Sequence, residues 1–316
     1  VVVLKDSEVL VCEISGKRPG TSKERPTEKF ECRFDKVIIS NDCDGYETDW
    51  EIVKVPDEYK DWYLDNFRVS ENAWYAPMNR SYAIKYAKEQ GYKYCIQLDD
   101  NITLLQIKYK LDLDGISKKY YSGVGARSCS FFNNFVEVLC AVLENTNACL
   151  AGCGLSANPP GDRFMREGYC YSLFALDLAT CPEVFHGGFE DDIEYRYKCH
   201  EKKLPTVMVQ PLQYGKTGQR SSGDKTGCRA EYERIGLGRG EVMRKIHGDM
   251  YRCGKQYKSN CTSNSRKLDT PQFGKKIKSF KDGIIVRDIE PIYEAMRKAL
   301  KECANDFEEN VEINEV

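Results

Sequence analysis

The sequence has no apolar run long enough to cross a bilayer, no Cys-x-x-Cys pair, no complete Gly-x-x-x-x-Gly-Lys-Ser/Thr loop and no internal repeat. These absences argue in turn against a membrane span, a paired-cysteine zinc site, a P-loop and a solenoid. Histidine is scarce, at three residues. The opening Val1-Val2-Val3-Leu4-Lys5 is too short for a secretory leader and reads as a strand. What remains is an ordinary globular composition, 41% hydrophobic and 30% charged. At 316 residues the chain suffices for one large α/β domain, with or without an appendage.

Cysteine is plentiful instead: fifteen residues, scattered and odd in number. Cys95 and Cys140 lie in apolar runs, where a thiol behaves as a small hydrophobe. Cys149 and Cys153 are the closest pair and too isolated for zinc. Reduced thiols in a cytoplasmic protein are the expectation. The Asn-x-Ser/Thr matches at Asn79, Asn101 and Asn260 then have no meaning as glycosylation sites.

The net charge of −2 hides a polarity. Residues 202–281 hold 19 Lys plus Arg against 6 Asp plus Glu, a local +13, so the rest carries −15. Tyr214, Tyr232, Tyr251 and Tyr257 interleave with these cations. Such a segment suits a polyanion such as DNA; a solvated face with counterions explains the same charge. Within it, residues 215–227 form a Gly/Ser/Lys/Arg loop suited to a phosphate or to no ligand at all.

Periodicity predicts strands over 34–42, 51–55 and 94–98, with a helix over 78–90 stopped by Gly91. Strand, strand, helix, strand is the rhythm of a mostly parallel sheet flanked by helices. Residues 102–113 read as an edge strand or hairpin, 130–145 as an apolar helix and 152–163 as a loop. Further on, 169–177 reads as a strand, 190–202 as a helix, 204–212 as a strand and 288–308 as an amphipathic helix. The expected division is an N-terminal strand or hairpin extension (1–33), a core (34–212) and a basic, loop-rich segment with a C-terminal helix (213–316).

Two acidic clusters carry the chemistry. Gln97-Leu98-Asp99-Asp100-Asn101 ends an apolar strand, and Gly187-Gly188-Phe189-Glu190-Asp191-Asp192 precedes a helix. Adjacent carboxylates repel each other and resist burial, so a chain that places them at a strand end needs a cation or a proton acceptor there. A metal site and a general base facing each other across a cleft would satisfy both clusters. Acids that merely cap a turn or a helix are the bland alternative.

The order of these parts resembles the core of GT-A-fold glycosyltransferases over roughly residues 34–210. The likeness lies in Ala76-Pro77-Met78-Asn79-Arg80, then the DxD-like Asp99-Asp100-Asn101, then Gly187-Gly188-Phe189-Glu190-Asp191-Asp192. It implies a Rossmann-like sheet and transfer of a sugar from a UDP-sugar to an acceptor hydroxyl. It also implies Mn²⁺ or Mg²⁺ held by Asp99, Asp100 and Asn101, with His247 as a later ligand. Arg80, Ser40 and Asp42 would meet the nucleotide. Asp191 would be the base of an inverting reaction, Glu190 would bind the acceptor, and Asp192 would support from the helix start. Asn101 departs from the motif, and an amide is a weaker ligand than a carboxylate.

With the basic segment, the finer resemblance is to enzymes that glycosylate hydroxymethylpyrimidines in DNA, the group related to base J glucosyltransferase and its phage relatives. A glycan or protein acceptor, a decayed nucleic-acid-binding module and a nucleotidyltransferase are the alternatives. For the last, Asn41-Asp42-Cys43-Asp44-Gly45 is a poor phosphate loop.

Overall fold

The computed structural model describes residues 4–67, 75–113, 116–122, 130–158, 163–186, 191–216 and 283–303. Its strands are β1 (Val9–Ile14), β2 (Asp35–Ser40), β3 (Glu51–Lys54), β4 (Tyr94–Asp99), β5 (Ile102–Leu113), β6 (Ile116–Ser122), β7 (Leu150–Leu155), β8 (Met165–Glu167), β9 (Leu173–Asp177) and β10 (Thr206–Lys216). The helices are α1 (Asp57–Phe67), α2 (Tyr75–Glu89), α3 (Ser130–Asn145), α4 (Asp191–Glu201) and α5 (Glu290–Cys303).

The strands form one mixed sheet in the order β3-β2-β1-β4-β9-β7-β10-β5-β6, with β8 also paired to β10. The first four are parallel. Beyond β4 only β7 and β10 run parallel to each other; the remaining pairings are antiparallel. The expected mostly parallel sheet therefore describes one half of the molecule.

All six residues of β1 are buried, because both faces of the sheet are covered. Val9 and Val11 pack on the side of α3 and α5 with Phe132, Phe135, Leu139 and Met296. Leu10, Cys12 and Ile14 pack on the other side with Tyr63 of α1, Met78 and Ala83 of α2 and Cys199 of α4. Each such fully buried large side chain contributes about 1.5–3 kcal/mol. Helix α2 ends in a Schellman arrangement: Tyr92 N donates to Ala87 O at 3.1 Å and Gly91 N to Lys88 O at 3.0 Å. Gly91 takes φ +84°, which favours glycine, and aims the chain into β4.

Three expectations change. First, β1, expected in an N-terminal extension, lies between β2 and β4, so the sheet continues across position 33. Second, part of the expected loop at 152–163 is the buried strand β7. Its glycines suggest a loop, but Gly152 is required by packing: a Cβ there would sit 2.5 Å from Cys170 Cβ. Third, β10 runs on through position 212 to Lys216, whereas residues 102–113 do form the hairpin arm expected, with β6 as the outer strand. Residues 217–282, most of the basic segment, lie outside the described residues. No helix among the described residues is long and apolar enough to cross a membrane.

Candidate functional site

The order β3-β2-β1-β4 reverses direction between β1 and β4, and open α/β sheets bind ligands beyond the carboxyl ends of strands at such a switch point. Ile14 is level with Asp99 and with Ile39, so β1, β2 and β4 end together. Asp99 is the last residue of β4 and Asp100 begins the turn. A 3-10 turn, Pro26–Lys29, locks that acidic turn in place. Thr27 Oγ1 donates to Asp99 O at 2.6 Å and accepts from Ile102 N at 3.0 Å.

Asp99 presents both carboxylate oxygens to cations, one to Arg80 Nη2 at 2.5 Å and the other to Lys216 Nζ. Burial opposes its ionisation, yet Lys216 and Arg80 outweigh that and pull its pKa down to about 2. Asp100 accepts from Ser15 Oγ at 2.7 Å and lies 3.2 Å from Arg18 Nε. With the Ser15 proton given to Asp100, Tyr46 donates to Ser15 at 2.9 Å. For Asp100 burial wins over Arg18, and the pKa rises to about 6.

The second cluster opens α4, where acids suit the helix dipole. Asp191 Oδ2 sits 3.1 Å from Arg80 Nε, at an angle that makes no hydrogen bond. Asp192 Oδ1 accepts from Ile193 N at 2.8 Å. Burial raises the pKa of both; Arg80 opposes this, while Asp99 adds to it for Asp191 and Asp191 for Asp192. Arg80 thus joins two motifs that lie 92 positions apart in the sequence. Gln97 Nε2 donates to Arg80 O at 2.9 Å. The Phe174 and Phe185 rings lie 5.3 and 5.8 Å from the guanidinium carbon.

Ser40 and Asp42 are at the end of β2. The Ser40 hydroxyl donates to Asp42 O at 2.8 Å and accepts from Asp42 N at 3.1 Å, so it serves the turn. Asn79 Nδ2 bridges Ser15 O at 2.8 Å and Asn41 Oδ1 at 3.2 Å, tying α2 to both strand ends. Glu190 and His247 lie outside the described residues, as do Gly187, Gly188 and Phe189.

Four side chains were not anticipated from sequence: Ser15, Arg18, Thr27 and Lys216. Ser15 and Arg18 closely follow a buried strand, Thr27 lies in a stretch that reads as loop, and Lys216 opens the basic loop read as suited to a phosphate. Glu13, inside β1, is a fifth. It is fully buried and neither oxygen has a hydrogen-bond partner. Burial, then Asp100 and Glu28, push its pKa well up against Arg25 and Arg18.

Asp99, Asp100 and Asn101 were expected to hold Mn²⁺ or Mg²⁺. Asn101 Oδ1 is a buried oxygen with no hydrogen-bond partner. The two carboxylates, however, are engaged by Arg80, Lys216, Arg18 and Ser15. Among the described residues no three His, Cys, Asp or Glu side chains group so as to hold a metal ion. As arranged, the donor set does not fit a divalent cation unless Lys216 moves aside.

No family model and no curated protein matches this chain. Two solved structures resemble it with a TM-score of 0.34 each. A197 from STIV is 10% identical over 67% of this chain and 86% of its own. A presumptive nucleotide-diphospho-sugar transferase from Desulfovibrio desulfuricans G20 is 12% identical over 75% of this chain and 97% of its own.

Proposed function

We propose that the protein is a GT-A-type glycosyltransferase that moves a sugar from a UDP-sugar to an acceptor hydroxyl. The observation that supports this best is the Arg80 bridge, which brings Asp99 and Asp191 together at the switch point of the sheet. In this reading the nucleoside lies across the ends of β1 and β2, near Ser40 and Asp42. The diphosphate lies at the mouth of the acidic turn. Arg18 and Lys216, with side chains 32% and 27% exposed, reach solvent there and supply positive charge to the leaving group.

Asp191 is the general base. As the acceptor oxygen bonds to the anomeric carbon, its proton passes to Asp191. The bond from that carbon to the diphosphate breaks, and its electron pair leaves with UDP. Attack from the face opposite the leaving group inverts the anomeric centre. A raised carboxylate pKa suits this role, because a base works best with a pKa near the working pH. Asp192 supports Asp191 from the helix start. The acceptor in this reading is 5-hydroxymethylpyrimidine in DNA, on the strength of the +13 charge of residues 202–281.

The test is UDP release from a panel of UDP-sugars, with and without 5-hydroxymethylpyrimidine DNA, for wild type and Asp191→Asn. Release that needs the DNA and falls at least about 100-fold in the variant is expected. Release without DNA rejects DNA as acceptor. Release that survives the substitution rejects Asp191 as base. No release with any sugar overturns the transferase reading.

A further inference from the structure

Between α4 and the strands β7, β8 and β10 lies a cavity of about 300 Å³. Its walls come from β7, β8, α4, β10 and the chain leading into β9, with none from β1 to β4. Tyr169 and Tyr171 form one wall, their rings 6.3 Å apart and 14° from parallel. Arg196 of α4 lies over Tyr169 with its guanidinium carbon 4.2 Å from the ring centroid. Gln210 and Gln213 of β10 and Arg166 of β8 also line it.

This cavity is joined to the acidic cluster. Ile193 packs on both Tyr169 and Tyr171, and its N–H is held by Asp192 at 2.8 Å. One residue past Tyr171, Ser172 O accepts from Asp99 N at 2.9 Å. The tyrosine wall of the cavity is thus tied through Ile193 and Ser172 to the carboxylates assigned to the reaction. The cavity is at the small end of the range for ligand pockets, enough for a single ring with one substituent group. Two guanidinium groups line it against one carboxylate, Glu167. Among the described residues neither Arg166 nor Arg196 forms an ion pair. Tyrosine faces suit the flat or apolar face of a ring, and arginine forks suit phosphate or carboxylate.

We infer that this cavity receives the acceptor, and that the acceptor unit is a ring carrying an anionic group. A nucleotide and a sugar phosphate share that chemistry. The assignment of the occupant as acceptor rests on the transferase reading; the ligand chemistry rests on the cavity alone.

The test is calorimetry on the full chain saturated with UDP, which fills the nucleotide site. Two matched pairs serve as probes: 5-hydroxymethyl-2′-deoxyuridine with and without its 5′-phosphate, and glucose with and without its 6-phosphate. The phosphorylated member of one pair is expected to bind at least about tenfold more tightly, the worth of one charge-assisted contact. The pair that responds identifies the source. Arg196→Ala should erase the difference and Tyr171→Ala should weaken both members, while UDP affinity stays within about twofold. Arg196→Lys should recover only part of it.

If no phosphorylated probe binds, or Arg196→Ala binds it as wild type does, the inference is overturned. If UDP itself fails to bind, the transferase reading falls. The probes are then measured alone, and Arg196-dependent binding still supports the ligand chemistry.

Discussion

Asp99 and Asp191 touch the same guanidinium, yet their surroundings drive them apart. Asp99 ends a strand and meets a second cation in Lys216, which carries its pKa down to about 2 against the cost of burial. Asp191 opens a helix, has Arg80 as its cation and Asp192 as its neighbour, and burial carries it upward. The difference lies in the number of cations in reach, since both groups are half-buried and both carry a second aspartate beside them. Carboxylates whose pKa values are pushed apart by environment divide into fixed charge and proton acceptor. In the proposed reaction Asp99 supplies the fixed charge and Asp191 the base.

Removing the shared cation tests this contrast most severely. Arg80→Ala leaves Asp191 without its cation and Asp99 with Lys216 alone. Transfer should fall at least about 100-fold, and breaking a buried pair should lower stability by about 3–5 kcal/mol. Arg80 lowers the Asp191 pKa, so its loss raises it. The rising limb of the pH–rate profile should move to higher pH. Arg80→Lys keeps charge without the fork, so it should fold and lose about tenfold. Urea denaturation and UDP release across pH read all of these. Transfer within threefold of wild type in Arg80→Ala would mean that the bridge is structural only.

The contrast sharpens if the second cation goes instead. In Lys216→Ala, Asp99 keeps Arg80 but its pKa rises. A depressed carboxylate pKa contributes stability above the ordinary carboxylate value, lost as pH falls through the folded pKa near 2. Part of that contribution should be missing in the variant at neutral pH. Affinity for UDP-sugar in a chelator should drop about tenfold, one charge-assisted contact. With Lys216 out of the way, Mn²⁺ should restore more affinity to the variant than it adds to wild type. Equal responses to Mn²⁺ would show that Lys216 does not hold the place of a cation.

The half of the molecule that could be read from sequence is the half built on local pattern. Helix α3 falls on its predicted span, because Phe131, Phe135 and Val142 mark one face of a helix. Strand β4 and its acidic turn were visible because a β-branched and apolar run stops at two carboxylates. Strand β7 was not, since the close approach of Cys170 to Gly152 comes from elsewhere in the chain. The same holds within the site. Asp99, Asp100, Asp191, Asp192 and Arg80 come from motifs and do meet. What was not legible is their partners: Ser15 reaches Asp100 across 85 positions and Lys216 reaches Asp99 across 117. Such contacts leave no periodicity, and their loops look like any solvated stretch.

Glu13 offers the smallest effect and the cleanest control, because it is a buried carboxyl next to the site with no role in the proposed chemistry. It faces Asp100, Glu28, Arg25 and Arg18, and burial first of all raises its pKa, so the expectation is that it stays neutral in the fold. Below the ordinary carboxylate pKa it is neutral in both folded and unfolded chains and costs nothing. As pH rises past that value the unfolded chain ionises and the folded one does not, so stability falls with pH until the folded pKa is reached. The slope is about 1.4 kcal/mol per pH unit for one proton. Glu13→Gln keeps the shape and removes the proton. It should match wild type in melts near pH 4, exceed it by a margin that grows toward pH 7, and leave transfer within about twofold. A variant less stable than wild type at pH 7 would show that Glu13 is ionised in the fold and bound to Arg25, 4.0 Å away. In that case burial beside a strand end would not by itself push a carboxyl upward, and the account of Asp191 would need a different cause.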